Sequence, residues 1–108
     1  MPCTFIALNN YIPLFFEDAE DFIESLSDKD KAKILAEIKM LETHFDLVYT
    51  KPLRGSIREL LVRHYRLLFF IHNQTIYFTH GFVKKSQKTP VREIEKAELI
   101  YKQLKKLN

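Results

Sequence analysis

The spacing of apolar positions changes character near residue 50. Between Glu17 and Leu26 the apolar residues Ala19, Phe22, Ile23 and Leu26 recur at helical spacing, with acidic residues on the outer face, which predicts a first helix. Ser27 is a good N-cap, and Asp30 three residues on loosely occupies the place of a capping box. Ile34, Leu35, Ile38, Leu41 and Phe45 then form one stripe, with Lys31, Lys33, Glu37 and Lys39 away from it. This predicts a second amphipathic helix over about Asp28 to His44, and the two helices make a hairpin.

Beyond Pro52 and Gly55, which punctuate a loop, short blocks of β-branched, aromatic and leucine residues predict three strands: Ile57 to His64, Tyr65 to Ile71 and Thr75 to Val83. His72, Asn73 and Gln74 supply a turn, so the last two strands are expected to be antiparallel neighbours. The middle block is apolar on both faces, as suits a central strand covered by helices. Thr4 to Leu8 is a weaker strand candidate at an edge. Thr89 followed by Pro90 marks a helix start, and Ile94, Ala97, Tyr101 and Leu104 continue it at helical spacing. The expected fold is therefore α+β, a small antiparallel sheet of three to four strands with two N-terminal helices and a C-terminal helix.

A chain of 108 residues suits one domain spanning 1–108, and an apolar content of 46% with nine Phe and five Tyr is enough to build a core. Cys3 is the sole cysteine, so no intrachain disulfide can form, and no Cys/His spacing suggests a structural zinc site. No basic stretch precedes Lys29, and the longest apolar run, Leu67 to Ile71, falls far short of the roughly 20 residues that cross a bilayer. A cytoplasmic protein without a membrane anchor is expected.

The net charge of +3 hides a strong asymmetry. Residues 1–50 carry four lysines and ten acids (−6), residues 51–88 carry eight bases and Glu59 alone (+7), and residues 89–108 carry five bases and three acids (+2). Positive charge is thus concentrated in the strand-rich part of the chain.

Three stretches carry a resemblance: "KPLRG" from Lys51, "ELLVRHYRLLFF" from Glu59 and "HGFVKKSQKTPVREIEKAE" from His80. They resemble the RelE/HigB superfamily of type II toxins, in particular its phage-derived HigB-like branch, continuously from Lys51 to about Ala97. The K-K-x-x-K-T-P block is the most specific part. The usual E-L-R of the branch is altered here to Glu59, Leu60, Leu61, Val62, Arg63, which makes Arg63 the arginine in question by its distance from Tyr65 and Arg66, or displaces that role.

The resemblance implies a RelE-like fold and a ribonuclease that enters the A site of the 70S ribosome and cuts mRNA there, without a cofactor or metal. It also implies a cognate antitoxin, often a helix-turn-helix protein. Cleavage by the RNA's own 2′-OH needs a group to take that proton, cations to stabilise the phosphorane, and a group to protonate the leaving 5′-oxygen. Arg63, Lys84 and Lys85 are the expected catalytic cations, Arg presenting a planar fork and Lys a mobile point charge. Lys51, Arg54, Arg66 and Lys88 are expected to bind RNA. Arg66 has a second reading, pairing with an acid of the helical layer, and Lys51 and Arg54 have one as ordinary loop charges.

Histidine titrates near neutrality, so His80 and His64 are candidates for proton transfer. His80 alternates with Ile76, Phe78 and Phe82, which suggests a hydrogen-bonded core role, and His64 and Arg63 are expected to point to opposite faces of a strand. Two other classes stay open: a gyrase-inhibiting toxin of the ParE type, which shares the fold, and an inactive relative that only binds nucleic acid or a partner.

Overall fold

The computed structural model describes residues 10–107. Strand β1 (Ile12–Phe15) leads into helices α1 (Glu17–Glu24) and α2 (Asp28–Thr43). A short 3-10 turn, Phe45–Leu47, is followed by β2 (Thr50–Arg54), β3 (Ile57–Val62), β4 (Tyr65–His72), β5 (Thr75–Val83) and helix α3 (Val91–Leu107). The strands form one sheet in the order β1-β5-β4-β3-β2, antiparallel except for the parallel β1–β5 pair. The α+β class is as expected, but the sheet has five strands and is mixed, not three or four and purely antiparallel. The strand expected at Thr4 to Leu8 lies outside the described residues.

Both unforeseen strands are edge strands containing proline, which reads as a loop signal in the sequence. Ile12 and Phe16 donate their N–H groups to the carbonyls of Gln74 and Phe78. Alternation then turns Pro13 outward, where its missing donor costs no ladder bond. Pro52 lies in β2 at the other edge, just before a bulge between Pro52 and Arg54.

The central strand β4 explains the continuous apolar run. Leu67 and Phe69 pack with Ile34, Ile38, Leu41, Ile76 and Phe78 under α1 and α2, whereas Leu68 and Phe70 pack with Ile57 and Ala97 under α3. Helix α1 sits tightly on β5, because the Phe22 ring occupies the space beside Gly81 where a Cβ would lie 2.4 Å from its Cδ2. Ser27 caps α2 as expected, accepting the Asp30 N–H at 3.2 Å.

Two local features correct the strand reading. First, β3 ends at Val62, and Arg63 and His64 form the hairpin turn to β4. Their expected placement on opposite strand faces therefore does not hold. Arg63 has φ +57°, the same value as Gly55 in the β2–β3 turn, in the position where a type II′ turn favours glycine. Second, the β4–β5 register slips between Leu68↔His80 and Phe69↔Phe78, so Thr79 is an extra residue in a bulge. The bulge rotates His80 to the α3 side of the sheet, with Phe82 but away from Ile76 and Phe78.

Candidate functional site

The site lies at the end of the sheet where β5 finishes, the β3–β4 turn reverses and α3 begins. The segment after Val83 is fixed at its start by the Lys84 N–H, which donates to the His64 carbonyl at 2.7 Å. It then crosses the α3 side of the sheet, and at its far end the Thr89 hydroxyl donates to Glu59 Oε2 on β3. Glu59 is 2% exposed, and its Oε1 lies 3.8 Å from the Nε of the buried Arg66. Arg66 in turn donates through one terminal nitrogen to the Arg63 carbonyl at 2.7 Å and the Tyr65 carbonyl at 2.8 Å. A buried carboxylate, a buried guanidinium and two tethers thus bind the lysine segment and the arginine turn into one rim. Each of these charges is buried with partners, as burial demands.

Above this floor is a groove of about 330 Å³ lined by Lys84, Lys85, Lys88, Arg92, Phe82 and Glu93, among others. None of the three lysines has a carboxylate within 4 Å among the described residues. A concave surface with several unneutralised cations focuses a positive potential and is suited to a polyanion. A larger depression, about 840 Å³, lies at the opposite end of the sheet beside His44, Phe45 and Gln74. Among the described residues no Lys or Arg lines it, so it lacks the positive charge of the groove beside α3.

The other expected residues fall around this groove to different degrees. Arg63 does not line the groove: it is half exposed on the turn tethered to Lys84, and its guanidinium stands 3.5 Å from Asp30 of α2. Asp30 also accepts the Tyr65 hydroxyl, which raises the Tyr65 pKa, so α2, β4 and the turn share one polar junction. His64 is exposed in the same turn, its ring against Tyr65. Arg66 belongs to the buried floor, paired with an acid of the neighbouring strand and not of the helical layer. Lys51 faces the same side of the sheet as Glu59, its register partner, three strands from β5 and so about 14 Å away. Arg54 is drawn off to α3, where Glu98 takes its Nε at 3.2 Å and its terminal nitrogen at 2.7 Å. That pairing raises the Arg54 pKa and lowers that of Glu98.

His80 is buried in the floor, 3% exposed, with Nε2 3.0 Å from Glu93 Oε1 and Nδ1 3.0 Å from the Thr79 hydroxyl. Because a carboxylate only accepts, Nε2 carries the proton. Burial pushes the His80 pKa below its ordinary value, and the charge on Lys96 adds to this against the opposing pull of Glu93 and Asp18. Lys96 itself is held by Asp18 of α1 at 2.7 Å. Among the described residues no three His, Cys, Asp or Glu side chains converge in a metal-binding arrangement, and no helix is long and apolar enough to cross a membrane.

The residues of the site that pattern reading did not single out are Glu59, Arg92 and Glu93, and Thr89, expected as a helix cap, instead donates its hydroxyl to Glu59. One signal for Glu59 was present: a lone acid among eight bases, inside an apolar strand, calls for an internal partner. The local sequence marks Glu93 only as an acid suited to a helix start, because only the crossing of the lysine segment brings the first turn of α3 over the end of β5.

Solved structures place this architecture in a known class. The fold is that of the RelE toxins. The chain aligns with the RelE–RelB complex from Pyrococcus horikoshii OT3 at a TM-score of 0.58 and 13% identity, covering 69% of this chain and 96% of that one. With the isolated RelE toxin of E. coli the values are 0.57 and 16%, covering 79% and 96%. With the intact RelBE toxin–antitoxin complex of E. coli they are 0.55 and 18%, covering 71% and 99%. The chain belongs to the family of phage-derived Gp49-like proteins (DUF891), whose model matches residues 21–102. That match begins in α1, well before the motifs that start at Lys51. A comparison with curated proteins finds no match.

Proposed function

We propose that this protein is the toxin of a type II toxin–antitoxin pair and acts as a ribosome-dependent mRNA endonuclease, without a metal ion. The observation that carries the reading is the groove beside α3, where Lys84, Lys85 and Lys88 stand without carboxylate partners among the described residues, on a RelE-like fold. In this reading Arg63, Lys84 and Lys85 hold the scissile phosphate and stabilise the charge of the phosphorane. Lys88 and Lys51 contact neighbouring phosphates. Arg66 supports Arg63 from beneath, and Arg54 contributes to the positive field while it anchors α3. The partners are mRNA in the A site of the 70S ribosome and a cognate antitoxin, a helix-turn-helix protein in this reading, whose acidic surface complements the groove. Structural neighbours that are themselves toxin–antitoxin complexes support the second partner.

The test is expression of the chain under tight control, followed by mapping of new 5′ ends in cellular mRNA. Codon-phased cuts are expected, lost in Arg63→Ala and in Lys84→Ala. Intact mRNA with DNA damage points instead to a gyrase-directed toxin, and neither effect to an inactive binding relative.

A further inference from the structure

We propose that Glu93 is the general base of the cleavage step, positioned by His80. The inference rests on the endonuclease reading above and names the group that reading leaves open.

The groove contains cations in excess but a single acid. Among its lining residues Glu93 is the only carboxylate, and no histidine lines it. A phosphoryl-transfer site that stabilises charge with Arg63, Lys84 and Lys85 still needs an acceptor for the 2′-hydroxyl proton. His80 does not serve directly, because its side chain is 4% exposed and its Nε2 is occupied by Glu93. The Glu93 side chain is 20% exposed, which is enough for its second oxygen to meet a substrate.

The two oxygens of Glu93 have different surroundings. Oε1 is fixed by His80 Nε2 at 3.0 Å, whereas Oε2 has only Arg92 Nε at 3.9 Å, too long for a hydrogen bond. The first is an anchor, and the second is left without a hydrogen bond on a residue that lines the groove. The anchor is itself rigid. His80 follows the bulge at Thr79, and the buried Thr79 hydroxyl lies 3.0 Å from His80 Nδ1 and 3.3 Å from the Leu68 carbonyl. The Glu93 N–H donates to the Pro90 carbonyl at 3.0 Å in the first turn of α3, where a carboxylate is favoured by the helix dipole. Such an oriented carboxylate–imidazole pair holds a base within reach of a substrate while excluding the imidazole from it.

The step balances as follows. Glu93 Oε2 takes the proton of the 2′-hydroxyl as the 2′-oxygen bonds to phosphorus. The bond from phosphorus to the 5′-oxygen breaks, and that oxygen takes a proton from a lysine ammonium of the groove or from water. The products are a 2′,3′-cyclic phosphate and a 5′-hydroxyl, and solvent exchange restores both side chains.

The experiment uses the full chain with ribosomes carrying a defined mRNA, and reads the single-turnover cleavage rate at neutral pH together with ribosome binding. Glu93→Gln keeps the shape and the His80 contact, and is expected to slow cleavage by about 10²- to 10⁴-fold and to leave binding unchanged. Glu93→Asp is expected to recover part of the rate. A Glu93→Gln protein that cuts within about threefold of wild type, or that has lost ribosome binding, overturns the assignment. So does a Glu93→Asp protein no faster than Glu93→Gln. Wild-type protein that binds ribosomes and cuts nothing overturns the endonuclease reading itself, and the assignment with it.

Discussion

Glu59 and Arg66 are buried side by side on adjacent strands, carboxylate and guanidinium 3.8 Å apart, one holding the lysine segment and the other the β3–β4 turn. Glu59 accepts the Thr89 hydroxyl from the end of the lysine segment, and Arg66 caps the Arg63 carbonyl in the β3–β4 turn. Removing the carboxylate leaves a desolvated guanidinium without its counter-charge. Glu59→Ala is expected to cost about 3 kcal/mol, the low end for breaking a buried pair because the separation is long. Urea unfolding measures it. A loss under about 1 kcal/mol means that the two backbone carbonyls suffice for Arg66.

Arg63 occupies a left-handed turn position at φ +57°, where a side chain is strained and glycine is not. Its ion pair with Asp30 is half exposed and worth at most about 1 kcal/mol. Arg63→Gly is therefore expected to be as stable as wild type or up to about 1 kcal/mol more stable. In the endonuclease reading it is also inactive in a growth-arrest assay. A destabilised Arg63→Gly protein contradicts the strain argument, and a fully toxic one contradicts the role of the arginine.

Gly81 makes room for Phe22, with three ring carbons within 2.9 Å of where a Cβ would lie. The nearest atoms belong to the body of the ring and not to a flexible tip, so α1 has to shift. Gly81→Ala is expected to destabilise by about 1–3 kcal/mol, as overpacking does, and to speed amide exchange in α1 relative to α3. Unchanged exchange in α1 argues that Phe22 finds another rotamer without cost.

His80 links pH to stability. Its folded-state pKa lies below the ordinary 6.5, chiefly because it is buried, so between those two values the unfolded chain binds more protons than the folded one. Its contribution is intact above about pH 6.5 and is lost as the pH falls toward the folded value. Lys96 strengthens the effect, and Glu93 and Asp18 oppose it. The fall in melting temperature from pH 7.5 to 5.5 is expected to be smaller in His80→Gln than in wild type. Equal falls in the two proteins assign the acid sensitivity to other groups.

Much of the fold was legible, because period and punctuation act locally. The stripes of α2 and α3, the capping serine, the Asn73–Gln74 turn and the two-sided apolar run of β4 all follow from short-range pattern. The edge strands β1 and β2 were not legible, since Pro13 and Pro52 look like breaks until a sheet places them at its rim. The face of His80 was missed for a related reason. A bulge is a mismatch between two strands, and one strand's own alternation does not contain it.

The sequence by itself determined where the positive charge is concentrated, which family motifs surround it, and the elements on which most of the basic residues stand. Only the tertiary structure decided which charges are free. Arg54 and Arg66 find carboxylates 44 and seven residues away and become supports, while Lys84, Lys85 and Lys88 find none among the described residues. It also brought Glu93 over the end of β5 beside His80. The reason is physical: ion pairing and desolvation depend on distances through space, which a linear spacing of residues does not encode.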